Sequence, residues 1–243
     1  MLGNGFYSRK HGLLSLVRGR RCQVCGVVRD LGGDDLLCPS CIRELGFRSG
    51  GFCPGCGKIY ALENVFPYPC LECQKNPPVW SALGFYASYQ GLLRELILDF
   101  KFRGDLGLGQ ILGDLLVRAY KGHALFRPDL LVPVPAHETR LKERGFNQSL
   151  ELARILGSKS GIKVDFRALT KDVLTQPQTT LEGRERLQAL KNTFSADPGR
   201  VESRSIMLVD DIFTTGSTLK ECTKTLHGAG AYEVQVLFLA RNV

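Results

Sequence analysis

The chain has 243 residues, of which 44% are apolar and 23% charged. That is enough apolar content for one large domain, or a medium one with a small companion, and it excludes global disorder. The formal charge of +8 permits nucleic-acid contact without establishing it, because metal-filled cysteine sites would roughly halve it.

The first apolar run, at residues 13–17, is too short for a membrane span. No small-residue cleavage site follows it, so no signal peptide is expected. Nowhere is there an uninterrupted apolar segment of about 18 residues. The run is expected to form a short amphipathic helix packed on the rest of the chain, with a membrane-surface helix as the alternative.

Eight of the nine cysteines then follow as four C-x-x-C pairs: CQVC, CPSC, CPGC and CLEC, separated by 12, 11 and 13 residues. In a chain without a secretion signal such pairs point to metal and a reducing cytoplasm. Cys25 and Cys56 each precede glycine, whereas Cys41 and Cys73 do not. The unit therefore repeats, and two sequential zinc ribbons are expected. Cys22, Cys25, Cys38 and Cys41 would hold one Zn²⁺, and Cys53, Cys56, Cys70 and Cys73 the other; cross-braced pairing is the alternative. Four thiolates fill a tetrahedral ion and leave no open position, so the role is structural. These ribbons set the first domain at 1–76, with a hinge in KNPP before a second domain at 79–243.

From residue 79 the texture changes. VWSALGFYASY reads as one or two strands. Leu92, Leu93, Leu96, Ile97 and Phe100 follow helical spacing, as do Leu108, Ile111, Leu112, Leu115 and Leu116. Strands are expected at 129–133, 164–169, 205–209 and 233–239, and helices at 147–156, 182–190 and 217–227. Strands alternating with helices predict an α/β fold with a parallel doubly wound sheet, whose ligands bind at the carboxyl ends of strands.

LVDDIFTTGSTL (208–219) sits at such an end. Thr214, Thr215, Gly216, Ser217 and Thr218 lead into a helix whose first N–H groups form a phosphate cradle. Asp210 and Asp211 are expected as the strand leaves the sheet. They would be repelled by phosphate and suit hydroxyl donors instead, so a ribose 5-phosphate fits both halves of the stretch. No lysine stands where a Walker loop needs one. GLGQILG (107–113) lies in a helical pattern and is discounted as a dinucleotide fingerprint. Cys222 is expected to pack in the interior. Phe100, Phe102 and Phe146 are aromatics that could stack on bases, with interior packing the favoured reading of each.

LVDDIFTTGSTL resembles the phosphoribosyl-diphosphate (PRPP) motif of type I phosphoribosyltransferases. With the double zinc ribbon, the segment from PVWSALGFYASY to FKFRGD, LLVPVPAHETRLKERGFNQS and QPQTTLEGRERLQALKNTF, nearly the whole chain resembles the ComF family of competence proteins. The resemblance implies that Asp210 and Asp211 hold the ribose hydroxyls and that 214–218 wraps the 5-phosphate. It makes the loop after strand 130–134 a pyrophosphate loop, with Arg140 and Arg144 as diphosphate ligands; a solvated basic face is the competing reading of these two arginines. Gln178 and Arg186 fall in the segment resembling a mobile flap, where this chain has Ala189 in place of the family's usual Asn. Mg²⁺ would accompany PRPP and neutralise the diphosphate, borrowing its oxygens from substrate and water.

The implied function is DNA uptake in natural transformation. Contact would be with single-stranded DNA, a competence helicase or a membrane translocation channel, from the cytoplasm or the inner face of the membrane. The alternatives are transfer of ribose 5-phosphate from PRPP to an acceptor, and a PRPP sensor without turnover.

Overall fold

A computed structural model describes residues 20–29, 36–103, 106–123, 125–136, 138–171 and 193–242. The helices expected at 13–17 and 182–190, and the flap candidates Gln178 and Arg186, lie outside the described residues. Two compact units are formed, Met1–Arg43 and Glu44–Val243. In the smaller, β1 (Arg20–Arg21) pairs antiparallel with β2 (Val28–Arg29); α1 (Pro39–Leu45) follows and runs across the boundary.

The larger unit opens with the second cysteine segment, which carries α2 (Leu71–Lys75). Its first sheet strand is β3 (Leu83–Ser88), followed by α3 (Gly91–Arg103) and α4 (Leu106–Gly122). Next come β4 (Leu130–Pro133), α5 (Glu138–Arg144), α6 (Gln148–Ser160), β5 (Lys163–Val164) and β6 (Leu169–Lys171). Then follow β7 (Phe194–Ala196), the single turn α7 (Pro198–Val201), β8 (Ser205–Phe213), α8 (Ser217–Gly228) and β9 (Glu233–Arg241).

Five of these strands make one all-parallel sheet in the order β3-β9-β8-β4-β5. Strands buried on both faces need long apolar runs, and β8 and β9 have them: Met207, Leu208, Val209 and Val236 to Ala240 are fully buried. Leu219, Cys222 and Leu226 of α8 share one core with Phe85, Val236 and Phe238, the helical spacing that places Cys222 inside. Helices α4 and α6 pack on the sheet through other residues. GLGQILG lies within α4. Helix α6 is bounded as its sequence dictates: Asn147 caps its start, accepting from the Ser149 N–H at 3.0 Å, and Gly161 ends it with φ +68°. Among the described residues no helix is long and apolar enough to cross a membrane.

The second cysteine segment shares this core. Phe52 is 3% exposed and packs edge-on against Phe85 of β3, ring centroids 5.2 Å apart. The Arg48 N–H donates to the Tyr86 carbonyl at 2.8 Å.

Three elements differ from expectation. The strand expected at 164–169 is split into β5 and β6, because buried Asp165 turns back to accept from the Arg167 N–H at 3.0 Å and pairs with Arg200 at 2.9 Å. Residues after β4 were expected as a loop, and ETRLKER instead winds into α5, which ends at Gly145 with φ +77°. Strand β8 runs four residues beyond the expected end. Its pairing with β4 stops at Val209, but β9 continues alongside it, Asp210 opposite Phe238 and Phe213 opposite Arg241. Asp210 and Asp211 are thus still in the sheet, at the place where one of their two neighbouring strands has ended.

Candidate functional site

Each cysteine quartet gathers its sulfurs within 4.8 Å of one another: Cys22, Cys25, Cys38 and Cys41 in the smaller unit, Cys53, Cys56, Cys70 and Cys73 in the larger. The pairing is sequential and not cross-braced. Sulfur separations of 3.8 Å (Cys22–Cys41), 3.7 Å (Cys25–Cys38) and 3.8 Å (Cys56–Cys70) match the edge of about 3.8 Å of a tetrahedron with metal–sulfur arms of about 2.3 Å. The two knuckles repeat each other. The Gly26 N–H donates to the Cys22 carbonyl at 2.9 Å and the Gly57 N–H to that of Cys53 at 2.8 Å. The Cys38 and Cys70 N–H groups each donate to the first sulfur of their quartet at 3.3 Å. Both quartets can hold a metal ion, and their all-thiolate donor set suits zinc.

A cavity of about 850 Å³ opens at the carboxyl ends of β4 and β8. Asp210 and Asp211 stand in its floor. Asp210 accepts at one oxygen from the Ser149 hydroxyl and from the Asp211 N–H, both at 2.9 Å. Burial, reinforced by the adjacent Asp211 carboxylate, pushes Asp210 up to about 7. Asp211 pairs with Lys101 of α3 at 2.7 Å. Beyond them Thr214, Thr215, Ser217 and Thr218 are exposed. Gly216, at φ +77°, is the N-cap of α8 and has no side chain to cap it; the Ser217 N–H reaches only the Thr215 hydroxyl, at a long 3.4 Å. The first N–H groups of the helix lack intrahelical carbonyl partners and are suited to an anion. A β-carbon on Gly216 would lie 2.4 Å from the Phe213 ring, so no other residue fits under this turn.

Arg144, at the end of α5, also lines the cavity. Its guanidinium lies 5.1 Å over the Phe102 ring and donates to Gln148 at 3.2 Å. Its buried Nε and the buried Gln148 Nε2 have no hydrogen-bond partner. Arg140 is carried on α5, and its side chain is outside the described set.

Three cavity residues escaped the sequence reading. Lys101 falls four residues after Ile97 and eight after Leu93, on the buried stripe of α3; a lysine in an apolar stripe was the available signal. Ser149 and Gln148 lie in the first turn of α6, and only the parallel packing of β4 on β8 brings that turn to Asp210. Phe102 corrects an expectation of packing: Phe100 is fully buried and touches Phe146, but Phe102 is 70% exposed at the cavity.

No family model matches the chain. Competence protein F of Haemophilus influenzae is 33% identical over 211 residues, covering 84% of this chain and 90% of its own. The chain belongs to the competence protein F family. Another relative within it, DNA utilization protein YhgH of Escherichia coli K12, is 35% identical, covering 79% of this chain and 84% of its own. Among solved structures, the allosteric regulatory enzyme of purine biosynthesis is 24% identical with a TM-score of 0.40, over 54% of this chain and a quarter of that one. This chain combines a five-stranded parallel sheet with two cysteine quartets.

Proposed function

We propose that this chain serves DNA uptake through a domain that binds PRPP with Mg²⁺, braced by two structural Zn²⁺ ions. The observation carrying the reading is the succession on one strand end: two carboxylates held by Ser149 and Lys101, then a glycine-capped helix N-terminus behind exposed hydroxyls. The carboxylates accept ribose hydroxyls, the 214–218 turn donates to the 5-phosphate, and Arg144 faces the diphosphate. Magnesium would supply neutralisation of diphosphate charge, using substrate and water oxygens. The names of the relatives, competence and DNA utilization, support the DNA setting. Single-stranded DNA or its translocation machinery, a helicase or membrane channel, is the macromolecular partner, met in the cytoplasm.

Calorimetric titration of Mg–PRPP into the zinc-loaded chain tests the site. Saturable binding that disappears in Asp210→Ala/Asp211→Ala is expected, and no binding to the native chain would end the reading. The DNA limb is tested with single strands at low salt, where phosphate contacts are strongest; absence of binding there excludes contact by this chain alone. One observation favours a second reading, transfer of ribose 5-phosphate to an acceptor. The cavity extends past the carboxylates to the exposed ring of Phe102, a surface on which a planar acceptor stacks. PRPP consumption in the presence of nucleobases, ammonia or DNA distinguishes transfer from sensing.

A further inference from the structure

The last residues of β9 connect two features described above. Arg241 donates from Nε to the Cys56 carbonyl at 2.9 Å, inside the second cysteine knuckle. From Nη1 the same guanidinium donates to the Thr214 carbonyl at 2.7 Å and the Phe213 carbonyl at 3.2 Å, the first peptides of the phosphate turn. Trp80 runs parallel to this strut, donating from Nε1 to the Gly55 carbonyl at 2.8 Å, with its ring edge-on to Phe213 at 5.9 Å. Arg241 also lies 4.6 Å over the Phe213 ring, the ring that closes beneath Gly216. Two adjacent carbonyls of a metal knuckle are thus pinned by side chains that both rest on the residue shaping the phosphate turn.

We infer that Arg241 is a positioning residue for the PRPP phosphate turn, and that the metal-loaded second quartet sets PRPP affinity through it. The inference rests on the PRPP reading of the site. A rigid planar guanidinium can satisfy carbonyls on two segments at once, fixing their separation. A metal holds the Cys56 turn in one geometry, and Arg241 transmits that geometry to Thr214. The coupling is reciprocal: a ligand that orders the phosphate turn must raise the metal affinity of the Cys53 quartet by the same factor. The Cys22 quartet, in the other compact unit, is the internal reference.

The experiment measures, at equilibrium, metal release from the full zinc-loaded chain to a chromogenic chelator, with and without Mg–PRPP. Cys25→Ser assigns the two release steps. Mg–PRPP is expected to raise the metal affinity of the second quartet by about tenfold and to leave the other unchanged. In Arg241→Ala, with both metals still bound, PRPP affinity is expected to fall by about tenfold and release to lose its response to PRPP. Arg241→Lys keeps the charge but cannot span both carbonyls, so it is expected to behave like the alanine variant. Native affinity in Arg241→Lys would reduce the effect to long-range charge and overturn the inference. So would PRPP binding that leaves second-quartet release unchanged in the native chain, a result independent of whether any variant folds. Failure of the native chain to bind PRPP overturns the proposed function itself, and this inference with it.

Discussion

Lys101 and Asp211 form a 2.7 Å ion pair whose side chains are only 13% and 12% exposed. A charge pair so far removed from water stabilises little in itself, but each member is costly to leave alone. Removing Lys101 would strand Asp211 beside the Asp210 carboxylate. Lys101→Ala is expected to lower unfolding free energy by about 3 kcal/mol, measured by urea denaturation. The Lys101→Ala/Asp211→Ala double variant should lose less than the two single variants summed. Strict additivity would mean the pair does not interact.

Asp210 gives the site a pH dependence whose sign is fixed. Burial and then Asp211 raise it from 3.8 to about 7. Between those values the native state holds a proton that the unfolded chain has released. The contribution of this group to stability is therefore full at low pH and declines as pH rises toward 7. In the ligand-free protein, Asp210→Asn should remove that decline, seen as a flatter melting temperature between pH 5 and pH 8. Hydroxyl donors favour the ionised carboxylate, so PRPP affinity should rise through the same interval. Calorimetry in buffers of different ionisation enthalpy should show proton release near pH 6.5 in the native protein, and less of it in Asp210→Asn.

Gly216→Ala tests the turn itself. The residue sits at φ +77° and its new methyl would meet the Phe213 ring at 2.4 Å. The left-handed backbone alone costs an alanine about 1–2 kcal/mol. A lower melting temperature is expected, with PRPP affinity reduced beyond what lost stability explains, since the turn must open to admit the methyl. Unchanged affinity would separate the turn from ligand binding.

The two quartets should respond differently to loss of metal. Two zinc ions per chain are expected by elemental analysis. Cys25→Ser should release one and leave the melting of the larger unit unaltered. Cys53→Ala should release the other and destabilise that unit, because Phe52, one residue away, is 3% exposed in its core. Equal effects of the two substitutions would contradict this asymmetry.

Much of this site could be read from contiguous sequence. Both quartets and the Asp210-to-Thr218 stretch are local patterns, in which neighbouring residues share one task. The parallel sheet followed from the alternation of apolar runs. Other features were not legible, because they depend on which distant elements meet. Lys101 reaches Asp211 from α3, and Ser149 reaches Asp210 from α6. The added length of β8 depends on β9 outlasting β4, which no property of β8 itself reveals. The break between β5 and β6 turns on Asp165 meeting Arg200, again a matter of packing.

The strand order has a consequence for how the molecule is made. Strand β3, the first of the sheet to be synthesised, pairs only with β9, the last. A chain emerging from the ribosome must carry β3 as an unpaired apolar edge until β9 has followed it, a high-contact-order path exposed to aggregation. The second knuckle can take up metal early, but Arg241, which joins it to the turn after β8, arrives only with β9. A nascent chain can therefore be metal-loaded before the pocket at the sheet's end exists, and that pocket is completed only once β9 has been made.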